Sequence, residues 1–125
     1  MAISSAVIAK TDELRQAARI LGENLSKRTF GERGPGLSVS LTDLEQILRP
    51  LVEEMAGGFL ATSAAEQSKR LSETLPCPTC GRECVQKTRE RRMVAEHGPF
   101  SWAEPVCHCA HCERSFFPST NRLEG

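Results

Sequence analysis

Tyrosine is absent from this 125-residue chain, and tryptophan occurs once. Large aromatic side chains bury the most area each, so their scarcity argues against one large core. Apolar residues, at 39%, point the same way. Net charge is missing as well: 16 Lys and Arg meet 16 Asp and Glu. No global field draws the chain toward nucleic acid. The balance holds in both parts, with nine cations against ten acids over 1–75 and seven against six over 76–125. No apolar run approaches a membrane span. The short patch Ala6–Ala9 has no basic segment before it, so no secretory signal is expected. The expected location is the cytoplasm, where paired cysteines mean metal or redox chemistry more often than disulfides.

Catalytic signatures are also lacking. The glycine-rich stretch Phe30–Ser38 has no Lys-Ser/Thr after it and no strand pattern before it, so it reads as a linker rather than a phosphate loop. There is no nucleophile elbow and no pair of acids in a recognisable motif. Glu53, Glu54 and the other acids read as a solvated helix face. Neither an enzyme nor a small-molecule substrate is expected.

What the chain does have is concentrated between Pro76 and Pro118. All six cysteines and all three histidines lie there. Cys77/Cys80 and Cys109/Cys112 form two Cys-x-x-Cys pairs with 28 residues between them. Two residues between ligands let a tight turn aim both thiolates at one ion, with turn amides facing the sulfurs. Pro78 and Gly81 suit the first turn. The second, Cys109–Arg114, lacks the glycine, and strain is expected there. The expected ligands are Cys77, Cys80, Cys109 and Cys112 around one structural zinc per chain. Iron in a rubredoxin-like site would use similar turns. Cys84 and Cys107 could replace a neighbour but read as small buried residues. His108 and His111 read as rings near the metal, and His97 as a turn residue. A redox thiol pair is disfavoured, because no βαβ pattern surrounds the first pair.

The remaining pattern predicts an α+β chain with helices in front and a small zinc-ribbon β-hairpin module behind, divided as 1–75 and 76–125. Residues 1–9 form a frayed start or the edge of the first helix. Leu14, Ala17, Ala18, Leu21 and Leu25 mark one face of a helix over about 11–28, capped by Thr11. Ser40 with Asp43 forms a capping box for a second helical region over about 41–73. Pro50 and Gly57-Gly58 make it one kinked helix or two. Its apolar stripe reads as a helical hairpin or dimer seam, so a homo-oligomer through 11–28 and 41–73 is expected. In the ribbon, Val85–Arg92 and Val94–Glu96 suit strands, His97-Gly98-Pro99 a turn, and Phe100–Val106 a returning strand. Pro105 would confine that strand to an edge or to its end. Phe116 and Phe117 would pack on the hairpin from the other side.

The residues Cys77-Pro78-Thr79-Cys80-Gly81, Arg89–Arg92, His97-Gly98-Pro99, Cys109-Ala110-His111-Cys112 and Phe116-Phe117-Pro118 together resemble the zinc ribbon near the N-terminus of insertion-sequence transposases of the ISKra type. The resemblance covers about 45 residues well and the helices loosely. In that family the ribbon precedes a ribonuclease-H-like catalytic domain that binds magnesium. No such domain is in these 125 residues, so the resemblance implies a non-catalytic DNA-binding and assembly region, as a fragment, a truncated reading frame or a separately encoded half of a mobile-element protein. Lys87, Arg89, Arg91 and Arg92 would meet phosphates, and Trp102 could stack on a base or pack in the core. The alternatives are a protein-interaction adaptor without nucleic acid, which the neutral charge favours, and an iron electron-transfer protein.

Overall fold

The computed structural model describes residues 4–124. It is α+β, with two long helices followed by an antiparallel five-stranded sheet. The chain separates into two compact units, Met1–Leu44 and Glu45–Gly125, so the boundary falls within the second helix.

Helix α1 spans Ser5–Phe30. Its start differs from the cap expected at Thr11. Ser4 is the cap, its hydroxyl accepting the Val7 N–H at 3.3 Å, while Thr11 lies inside the helix and donates back to the Ile8 carbonyl. Nothing in Ser5–Lys10 stops a helix, so it extends back to a capping hydroxyl at Ser4. Of the stretch 1–9 expected as a frayed start, 1–3 lie outside the described residues. At the other end Gly31, at φ 82°, donates its N–H to the Lys27 carbonyl at 2.7 Å. Lys27 and Arg28 occupy the last turn, where the helix dipole favours cations.

Helix α2 spans Leu41–Ser68 and carries Pro50 inside it, so the second region is one helix rather than two. The capping box closes as expected: the Ser40 N–H donates to Asp43 at 2.9 Å, and the Asp43 N–H donates to the Ser40 hydroxyl at 3.1 Å. The helix stops five residues short of the expected 73. Leu75, beyond that span, pairs with Cys84 in a sheet. Pro76 disfavours helical backbone in the residue before it, which suits the extended Leu75.

The strands are β1 (Thr74–Pro76), β2 (Glu83–Ala95), β3 (Gly98–Cys109), β4 (Arg114–Phe117) and β5 (Arg122–Glu124), paired in chain order as a meander. β2 serves two neighbours: its first three residues pair with β1, and Gln86–Ala95 pair with β3. The β2–β3 turn centres on Glu96-His97, and Gly98-Pro99 already belong to the ladder. Gly98 is needed twice over. Its φ is 125°, and a methyl group there would sit 2.7 Å from Glu53 Cγ of α2. A methyl at Gly57 would likewise come within 3.1 Å of Phe100 Cβ, so small residues let α2 approach this hairpin.

One expectation about the sheet holds locally and one needs correction. Pro105 is fully buried, yet β4 pairs with β3 only over Cys107–Cys109, so at Pro105 β3 is paired with β2 alone and is an edge there, as expected. Phe116 and Phe117 do not cap the hairpin from one side. They lie on β4, and period-two alternation sends them to opposite faces.

Each face has its own small core. On one, Cys77, Cys84, Cys107, Cys109 and Phe116 pack with Leu75 and Cys112. On the other, Trp102, Glu104 and Phe117 are buried. Trp102 is thus a core residue, and its indole N–H lies 2.9 Å from Met93 Sδ. Among the described residues, four of the eight buried apolar side chains, Pro105 included, are cysteines. Such a core supplies little burial energy, and an ion held by the cysteines would add to it.

Candidate metal centre

Both Cys-x-x-Cys turns are built alike. In the first, the Gly81 N–H donates to the Cys77 carbonyl and the Cys77 N–H to the Arg82 carbonyl, both at 2.8 Å. Gly81 takes φ 78°, and Glu113, after the second pair, takes φ 55°. The left-handed conformation is therefore required after each pair, and the second turn adopts it without glycine. The strain expected there is located at Glu113.

These turns, with β2 and β3 between them, bring the sulfurs of Cys77, Cys80, Cys109 and Cys112 within 4.8 Å of one another. Cys77 and Cys112 Sγ are 3.9 Å apart, and Cys80 and Cys109 Sγ 3.6 Å. Sulfurs held tetrahedrally at about 2.3 Å from an ion lie about 3.8 Å from each other. All six cysteines are free thiols, so the four are available and could hold a metal ion.

The electrostatics favour thiolate at one cysteine of each turn. The amides of Cys80 and Thr79 lower the pKa of Cys77. The Cys112 amide is the main cause that brings Cys109 down to about 6, and the His111 amide adds to it. Cys112 is pushed up to about 12, chiefly by its hydrogen bond with Cys80. The four sulfurs thus share protons that a cation would displace.

Cys84 and Cys107 flank the set without joining it. Burial pushes the Cys84 thiol up to about 11, and its S–H points at the Arg82 carbonyl at 3.4 Å. Cys107 is fully buried, and burial raises its pKa too. The His108 ring lies 3.1 Å from the Ser115 hydroxyl.

The four cations of β2 do not act as one patch. Alternation puts Lys87, Arg89 and Arg91 on one face and Arg92 on the other. Arg91 is engaged with Glu104 at 3.2 Å. Arg89 pairs with Glu124 at 3.2 Å and lies 4.8 Å from the Phe117 ring centre. Lys87 and Arg82 have no ion-pair partner among the described residues. With Arg89, His108 and His111 they line an open groove of about 670 Å³ beside Cys84 and Cys109.

Glu104, Arg122 and Thr120 were not singled out from the sequence. Glu104 is fully buried and accepts from Arg91, from Arg122 at 3.0 Å and from the Thr120 hydroxyl at 2.7 Å. Arg122 also lies 3.8 Å from the Phe117 ring centre. A buried carboxylate requires such partners, and these tie β3 to β2 and to the β4–β5 turn. The available signal was the even spacing of Trp102, Glu104 and Val106, which puts an acid in an inward-facing series.

Comparison of the chain with protein-family models, with curated proteins and with solved structures finds no match. No helix among the described residues is long and apolar enough to cross a membrane.

Proposed function

We propose that the sheet unit is a zinc ribbon with one structural zinc held by Cys77, Cys80, Cys109 and Cys112, and that the chain is a non-catalytic DNA-binding region resembling the N-terminal part of an ISKra-type transposase. The observation that carries the metal reading is the convergence of four free thiols within 4.8 Å, two of them facing turn amides. Four thiolates close a tetrahedral shell and leave no position for water, so such an ion holds structure and performs no hydrolysis. The nucleic-acid reading rests on the resemblance and on the groove beside the site, where Arg82, Lys87 and Arg89 would neutralise phosphates. Arg91 is spent on Glu104 and Arg92 faces the other way, so the contact set is narrower than the basic run suggests.

The test is binding of the metal-loaded full chain to duplex DNA across a salt series. Three phosphate contacts give a log–log slope of about −3. Absence of a shift at low salt, with duplex in large excess, leaves the adaptor reading. That reading is favoured by the zero net charge and the engaged Arg91. Metal analysis decides the ion: one zinc per colourless chain is expected, and a coloured iron protein would instead support electron transfer.

A further inference from the structure

Each helix carries an apolar seam with heptad spacing. In α1, Val7, Leu14 and Leu21 recur every seven residues, with Ala18 and Leu25 four residues after the last two. In α2, Leu41, Leu48 and Met55 recur every seven, with Leu44 and Leu51 three residues after the first two. That is the spacing by which two helices pack side by side. The seams are not consumed: Val7, Leu14, Leu21, Leu41, Leu48, Leu51 and Met55 are 40–74% exposed, and no residue of α2 is buried. Long helices draw most of their stability from a covered apolar face, so a partner is called for.

Charge identifies the partner. The charged residues flanking the α1 seam are Lys10 and Arg15, and those flanking the α2 seam are Glu45 and Glu54. Over their full lengths α1 carries five cations and three acids, while α2 carries one cation and five acids. Like helices side by side would face like charges, whereas α1 beside α2 matches opposite ones.

We propose that a second copy of this chain covers these faces, with α1 of each copy packed along α2 of the other. A two-fold axis then uses the complementary contact twice. The inference is independent of what the sheet unit binds.

The experiment is sedimentation of the metal-loaded full chain and two charge variants, with helicity checked by circular dichroism. One variant is Lys10→Glu with Arg15→Glu; the other is Glu45→Lys with Glu54→Lys. The parent is expected to sediment at twice its 13.7 kDa chain mass. Each variant alone faces like charge and should self-associate on the order of tenfold to a hundredfold more weakly. An equimolar mixture of the two should restore the dimer. A parent that stays monomeric from micromolar to millimolar concentration overturns the proposal. So do variants that associate like the parent, which means like helices pair. A mixture that fails to recover also overturns it, because α1 then pairs with α2 of its own chain.

Discussion

Glu113 and Gly81 occupy equivalent places, each following the second cysteine of a turn and each at positive φ. Only glycine enters that conformation freely, and an ordinary side chain pays about 1 kcal/mol or more. Glu113→Gly is therefore expected to stabilise the metal-loaded sheet by about 1 kcal/mol, partly offset by the greater freedom of glycine in the unfolded chain. Gly81→Glu should destabilise it comparably. Thermal melting of the two variants against the parent measures both, and a lower melting temperature for Glu113→Gly would show that its side chain makes a contact worth more than the strain. Residue-level chemistry also explains why the basic run divides. Alternation along β2 and the demand of buried Glu104 decide which arginines stay free.

Among the elements, α2 is defined at its start by reciprocal side-chain bonds. The Ser40 N–H and hydroxyl together hold the Asp43 carboxyl below its usual pKa. A carboxylate with a depressed folded pKa contributes stability that is fully present above its unfolded value, about 3.9, and is lost as pH falls through the folded value. The first turn of α2 should therefore hold at neutral pH and loosen only below about pH 4. Amide exchange at Leu44 and Glu45 checks this. The parent should show faster exchange as pH drops, after correction for intrinsic rates, and Asp43→Asn should lack that acid step. An identical acid response in the variant would assign it to another carboxyl. The β2–β3 hairpin and α2 approach closely at Gly57 and Gly98, where added side chains would meet Phe100 and Glu53.

For the whole molecule, the division of labour between helices and sheet gives the sharpest expectation. The buried core of the sheet is small and largely cysteine, and two of its sulfurs, those of Cys77 and Cys109, converge with those of Cys80 and Cys112. Removing the ion with a chelator, or replacing Cys77 with Ser, should unfold 76–118 while α1 and α2 persist, because the helices contribute no buried residue to that cysteine core. Circular dichroism would then show helical signal retained and proton NMR would show sheet dispersion lost. Disappearance of both signals together would mean that the two parts fold as one. Apolar burial of this size seldom stabilises about 50 residues alone, which is why the metal is assigned so much weight.

Much of the candidate site was legible because its chemistry is local. Two residues between cysteines, a glycine after the first pair and a capping Ser-x-x-Asp each act over one turn of chain, and each is found where the spacing put it. The α+β order was legible from periodicity for the same reason. The Thr11 cap was misread because Ser4, just outside the pattern, outweighed it, and the second helix ends at Ser68 rather than at about 73. Tertiary structure alone decided the rest. Pro105 could lie within β3 because β4 begins pairing beyond it, a fact about a neighbour rather than about proline. Glu104 acquired Arg91 from β2 and Thr120 and Arg122 from the far end of the chain, and that meeting settled which cations remain beside the cysteines. Short-range spacing thus determined the four-cysteine set, while the curl of the sheet determined what surrounds it, since only folding brings distant charges within reach of one buried carboxylate.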